Sequence, residues 1–336
     1  MSHPVTIKDI ARILGVSPST VSRALKDHPD ISSATKMQVK ELVDKLKYKP
    51  NAIALSLRSQ KSNMISVIVP QIVHHFFSSV ISGIDEVARE NGYNVMIFQS
   101  NENYEREVEI IQAIETNRAE GVLVSVSKTT TSFNHFKELV DNDFPLVFFD
   151  RVSDELDTDK VIVDDFTGAM NAVEYLIGKG CMRIAHLAAP QNLLIGYHRQ
   201  RGYISALEKN RMKVDDRFII KCDTIEEAYE VVPDLMKLTD PPDAIFAVND
   251  MTAAGTVNIL KKMKYRIPED VSVIGFTDGL VSTVTDPPLT TVSQHGFEMG
   301  KKAARMLLER IDHPDSGKKP YTEVIPTELV VRGTTK

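Results

Sequence analysis

Cysteine is scarce in this chain of 336 residues, which holds only Cys181 and Cys222. Two isolated thiols argue against a disulfide-stapled scaffold and against a cysteine-ligated metal centre, and they fit a reducing cytoplasm. Long apolar runs are missing as well. No stretch approaches the roughly 20 residues that span a bilayer, and MSHPVTIKDIARIL at the N-terminus does not read as a signal peptide. Neither H-E-x-x-H, G-x-S-x-G nor a P-loop occurs. The expectation is therefore a cytoplasmic protein that is not an enzyme, with no cofactor, no metal and no membrane partner. Solenoid repeats and low-complexity tracts are absent too.

What is present is ordinary in bulk and uneven in placement. Hydrophobic content of 42% and charged content of 26% suit a globular chain with sequence enough for two or three compact units. The net charge of −6 conceals a split: residues 1–60 carry ten Lys/Arg against five Asp/Glu, and the remainder carries 30 against 41. A small basic head would be drawn to a polyanion that the acidic body repels.

The head reads as three short helices. Thr6-Ile7-Lys8-Asp9 fits a capping box, flanked by Val5 and Ile10 at the staple positions. Ile7, Ile10, Ala11 and Leu14 recur at helical spacing until Gly15 supplies the positive φ that ends the helix. Ser17 is a natural N-cap and Pro18 fits the first helical position, with Val21 and Leu25 expected to face inward. A third helix starts near Ser32 and Ser33 and carries Val39, Leu42, Val43 and Leu46 on one face. This spacing predicts a helix-turn-helix, whose second helix enters the major groove of DNA. Pro18, Ser19 and Arg23 would then meet base edges, Arg23 with a geometry suited to guanine. Thr6, Ser17, Thr20, Ser22, Ser32 and Thr35 would suit phosphate contacts. The plainer alternative is a three-helix bundle with a polar face.

After the head, Tyr48-Lys49-Pro50-Asn51 leads into AIALSLRSQKSN. Asn51 is a natural N-cap for one or two turns, too short to hold as an isolated helix in water. Ordered on DNA, such a turn would expose Leu57 as a wedge for the minor groove; otherwise the segment is a plain linker.

From Asn63 strands and helices alternate, and the pattern restarts after Val161–Val163, which implies two parallel-sheet subdomains facing across a cleft. Asp150, Asp164, Asp165, Asn249, Asp250, Thr277 and Asp278 fall at strand ends, and Arg199 stands near the start of a helix. Carboxylates, an amide and an arginine there, with Phe76 and Phe77 near the first strand, suit a hydroxylated ring. A cap or a solvated turn is the alternative for each; for the adjacent pair Asp164–Asp165 capping is the expected role.

VTIKDIARILGVSPSTVSRAL and YKPNAIALSLR resemble the lactose-repressor (LacI/GalR-type) family of bacterial transcription regulators, and the resemblance runs to the C-terminus. It implies an all-α helix-turn-helix head at 1–49, a hinge at 50–62 and an α/β core at 63–336 of two doubly wound subdomains, like a periplasmic binding protein. The subdomains would comprise about 63–161 with 293–322, and about 162–292 with 323–336. By the same resemblance Ser17 to Arg23 form the recognition helix, Leu57 is the hinge leucine and Asn51 belongs to the DNA-contacting set. GYHRQRGY resembles the family's effector-contacting R-x-x-G-[FY] segment and places the arginine at Arg199, while AVNDMTAAG resembles N-D-x-x-A-x-G and makes Asn249 an effector contact. Phe76, Phe77 and Asp150 occupy further pocket positions. One departure stands out: where the family has G-[YF]-D-[DN], this chain reads Gly275-Phe276-Thr277-Asp278. Either Asp278 substitutes for the missing carboxylate or the effector differs from simple sugars.

The function implied is a dimeric DNA-binding regulator, a repressor by family habit, that binds a palindromic operator and is switched by a small carbohydrate-like effector. A homodimer is expected because one head offers few base contacts, and the chain stops at VRGTTK without the leucine heptads through which some relatives tetramerise. The rival reading, a sugar-binding receptor without a regulatory role, leaves the head unexplained.

Overall fold

The computed structural model describes residues 5–48, 62–314 and 317–336, and these divide into a head and a core. In the head, helices Ile7–Leu14, Pro18–Leu25 and Ser33–Lys45 enclose Ile10, Ala11, Val21, Ala24 and Val39. The capping box forms: Asp9 N donates to Thr6 Oγ1 while Thr6 N donates to Asp9 Oδ2. Gly15 adopts φ 66°, and Val5 packs onto the buried cluster. One expectation fails. Leu25 is 37% exposed and Ala24, at 7%, takes the inner position beside Val21. In a helix of two turns the strip buried by three small helices is narrow, and the residue three on from Val21 lies in it while the residue four on does not.

The core contains two six-stranded sheets. The first takes β1 (Met64–Val69), β2 (Asn94–Gln99), β3 (Val122–Val124), β4 (Leu146–Phe149) and β5 (Asp159–Val163). The second takes β6 (Ile184–Ala188), β7 (Ile219–Lys221), β8 (Ala244–Ala247), β9 (Ser272–Thr277) and β10 (Thr290–Ser293). The chain then returns to add β11 (Thr322–Ile325) to the first sheet and β12 (Glu328–Val330) to the second. The orders are β11-β5-β4-β3-β1-β2 and β12-β10-β9-β8-β6-β7. All pairings are parallel except β12, which runs antiparallel to β10. Central strands such as MISVIV and LVFF are apolar almost throughout because helices cover both faces. The doubly wound expectation therefore holds, with one antiparallel edge.

The first sheet keeps β5 and β11 entire, so the chain passes between lobes at residue 164, at 294–295 and at 326–327. These crossings lie a few residues beyond the boundaries expected from the sequence, which cut through both strands. The first lobe is locked by the helices His75–Glu90 and Gly296–Asp312, which cross at glycines. A Cβ built on Gly300 falls on the Val80 carbonyl, and one built on Gly83 falls on the Phe297 carbonyl. Gly300→Ala is accordingly expected to cost about 1–3 kcal/mol by forcing two packed backbones apart; an unchanged urea midpoint would show that the helices separate freely.

Candidate functional site

The exposed face of the head is built by its caps. Ser17 Oγ accepts from Thr20 N at 3.1 Å and Ser32 Oγ accepts from Thr35 N at 3.2 Å, so Thr6, Ser17 and Ser32 begin the three helices. Ser17 Oγ also meets Ser19 Oγ at 2.7 Å and Thr20 Oγ1 at 2.8 Å, a hydroxyl cluster on the first turn of the second helix. Pro18, Ser19 and Arg23 are exposed on this helix, while Thr20 and Ser22 are half-buried. Arg23 makes no ion pair among the described residues. The helix thus offers one guanidinium and several hydroxyls on one side. Asn51 and Leu57 lie outside the described residues.

Between the lobes of the core lies a cavity of about 770 Å³ at the C-terminal ends of the strands. Phe76, Phe77, Asp150, Arg199, Asn249 and Thr277 all line it. Phe76 and Phe77 stack edge to face at 5.3 Å and also belong to the first lobe's core. Asp150 ends β4 at φ 59°, and burial pushes its carboxyl up to about 6 against the pull of Arg151 and Arg199. Asn249 caps the helix Asp250–Lys262, its Oδ1 accepting from Thr252 N at 2.8 Å, and its Nδ2 donates to the Asp223 carbonyl at 2.8 Å. The Thr277 hydroxyl donates to Gln294 Oε1 at 3.0 Å.

Arg199 is 4% exposed and fixed on three sides. Its Nε donates to Asp165 Oδ1 and its Nη1 to the Val248 carbonyl, both at 2.7 Å, and the guanidinium lies 3.8 Å from the centre of the Phe276 ring. Of the adjacent aspartates, Asp164 caps its helix by accepting from Thr167 N, as expected. Asp165 instead turns inward to pair with Arg199, a contact that spans 34 residues of sequence and so has no local signature.

Asp278 does not line the cavity. Its Oδ1 accepts from Arg332 Nη2 at 2.7 Å and from Ser282 Oγ at 3.1 Å, so the expectation that it replaces the missing pocket carboxylate is corrected. The neighbouring carboxylate that does face the cavity is Asp250, which accepts from Thr291 Oγ1 at 2.5 Å and from Gly279 N at 2.7 Å. Burial raises its carboxyl to about 6. Asp250 was visible in the sequence at a strand end; Gln294 was not, because its signal is the chain crossing itself.

A further group closes one side of the cavity. Lys128, after β3, pairs through Nζ with Asp223 Oδ2 of the opposite lobe at 2.5 Å, and its carbonyl accepts from Asn192 Nδ2 at 2.7 Å. The segment is anchored from within by Glu107, fully buried, which accepts from Ser127 N, Thr130 Oγ1 and His135 Nε2. Glu102 accepts from Lys128 N at 2.7 Å and from Arg151 Nη1 at 2.9 Å. His74 bonds Gln71, and burial lowers its pKa. No group of three metal-ligating side chains occurs among the described residues.

Comparison with known proteins agrees with both parts. Residues 6–51 match the model of bacterial regulatory proteins of the lacI family, and residues 62–331 match that of periplasmic binding proteins and the sugar binding domain of the LacI family. The HTH-type transcriptional repressor CytR of Escherichia coli (strain K12) is 33% identical over 98% of this chain and 96% of its own length. The HTH-type transcriptional repressor PurR of Vibrio atlanticus (strain LGP32) is 34% identical, covering 98% of both chains. The Lac repressor dimer bound to operator and the anti-inducer ONPF shares the fold at a TM-score of 0.88 and 24% identity, covering 99% of each chain. The chain belongs to the LacI family of bacterial regulatory proteins.

Proposed function

We propose that the protein is a transcriptional repressor that binds a near-palindromic operator as a homodimer and is controlled by a small molecule held between the core lobes. The observation that carries this reading is the union, in one chain, of a helix-turn-helix with an exposed Arg23 that makes no ion pair among the described residues and a two-lobed cleft lined from both sides. A receptor without a regulatory role would have no use for the head. In this reading Pro18, Ser19 and Arg23 select the operator sequence, and Thr6, Ser17, Thr20, Ser22, Ser32 and Thr35 set register on phosphates. Phe76, Phe77, Asp150, Arg199, Asn249 and Thr277 hold the effector, and Asp250 and Gln294 join them. The relatives are repressors and not enzymes, which supports a binding role for these side chains. No helix among the described residues is long and apolar enough to cross a membrane, and a cytoplasmic site of action follows from the need to reach DNA.

The effector acts by preferring one arrangement of the lobes, and it shifts operator affinity by its differential affinity for the two arrangements. Selection of bound fragments from random duplex DNA, followed by titration at several salt concentrations, tests the DNA half. Operator affinity is expected to fall linearly on a log–log plot against salt, with a slope of about −5 or steeper for six or more phosphate contacts. A flat line would remove DNA as the partner.

A further inference from the structure

The charges around the cavity restrict what it holds, provided that it is the effector site. Three permanent cations line it, Lys128, Arg151 and Arg199, and each stands in an ion pair. Lys128 is paired with Asp223, Arg151 with Glu102, and Arg199 with Asp165. Five carboxylates line the same space: Glu102, Asp150, Asp223, Glu226 and Asp250. Of these, Asp150, Glu226 and Asp250 have no ion-pair partner among the described residues. A phosphate entering the cleft would lose its water, find each cation already neutralised by a carboxylate, with Arg151 Nε buried and without a hydrogen-bond partner among the described residues, and face carboxylates that no cation neutralises. An uncharged hydroxyl donates to such carboxylates and accepts from Gln294 or Asn249 with no such cost. His74 does not reverse this balance, since it is turned to Gln71 and burial favours its neutral form, and His75 lies at the exposed rim.

We infer that the cleft selects an uncharged, hydroxyl-bearing ring compound and rejects the phosphate ester of the same compound. The selection is set by pairing: each cation that would otherwise capture a phosphate is neutralised by a carboxylate of the protein. The compound's ring packs among Phe76, Phe77 and the apolar lining, and its hydroxyls meet the strand ends.

The test uses the full chain in thermal-shift and calorimetric titrations. The probes are ribose, glucose and the common ribonucleosides, each beside its phosphate monoester. At least one uncharged member is expected to raise the melting temperature with concentration. Its monoester should bind about a hundredfold or more weakly, the scale of leaving a buried charge without a partner. A monoester that binds as well as its parent overturns the inference and leaves the effector reading standing; no binding by any member overturns both. Asp223→Asn separates charge from size, because it leaves the Lys128 ammonium without its carboxylate. The variant should narrow the preference by about tenfold or more, a change of one restored charge contact. An unchanged preference would mean that the phosphate is excluded by bulk, and the charge argument fails.

Discussion

Arg199→Ala is expected to destabilise the core by about 3–5 kcal/mol, the scale of breaking one partner out of a buried ion pair, and to abolish the effector response as well. The guanidinium is the neutralising partner of Asp165, which is 5% exposed, and it also satisfies the Val248 carbonyl beyond β8. Alanine removes both bonds and the contact with Phe276, and it strands a carboxylate whose burial already raises its pKa. The direction with pH follows from that carboxylate. Without Arg199 the folded-state pKa of Asp165 rises further, so the variant's deficit is largest near neutrality and shrinks as acid protonates Asp165. Urea unfolding of both proteins at neutral and mildly acidic pH reads this out. Asp165→Asn in the same chain should recover part of the loss, since an amide needs no counterion; strictly additive losses would show that the two side chains do not act as a pair. Loss of effector response in Arg199→Ala alone therefore does not report on ligand contact, and Arg199→Lys, which keeps the charge, is the more informative substitution there.

Asp150→Asn is expected to act in the opposite sense, stabilising the ligand-free core by up to about 3 kcal/mol near neutral pH, from a displacement of about two pKa units. The Asp150 carboxyl sits at about 6 in the fold against 3.8 as its ordinary value. Between those values the folded chain holds a proton that the unfolded chain has released, so stability is fully present below 3.8 and is lost as pH rises through about 6. Asparagine carries no charge at any of these values and tolerates the φ of 59°. The gain should thus be near its maximum above pH 7 and vanish near pH 4, as melting temperatures across that range would show. A gain independent of pH would assign the effect to packing. The same variant should bind effector more weakly, because the amide replaces a charged acceptor; a strained carboxylate at a site is consistent with stability given up for binding.

The two halves of the chain were legible in the sequence to different degrees. In the head the signals are local: Thr6 with Asp9, Gly15 at positive φ, and Ser17 before Pro18 each act within four residues. They located all three helices, and only Leu25 was misplaced, where burial depends on how three small elements meet. In the core the alternation of strands and helices from Asn63, and its restart after Val161–Val163, were readable as apolar runs, and β5 ends at Val163 as read. β7 and the returning strands β11 and β12 are short and flank loops, and the antiparallel sense of β12 depends on a register with β10 that no local pattern encodes. In the cleft, Phe76, Asp150 and Asn249 came from segments resembling a family, and the cavity brings them together. Asp278 failed for a plain reason: its partner Arg332 lies 54 residues away, near the chain's end. Asp165 was misjudged on the same ground, its partner Arg199 lying 34 residues away.

The three passages between lobes determine what kind of message the core can send. Three short covalent links, at 164, 294–295 and 326–327, leave the lobes almost no freedom to slide or part, and a change of angle about the line of those links is the movement left to them. Gln294 belongs to one link, yet its side chain faces the cavity and bonds Thr277. A ligand that touches Gln294 therefore pushes on the fulcrum as well as on the two jaws. Ligands of similar grip but different reach toward that side chain would set different angles, so potency and the depth of regulation become separately tunable quantities.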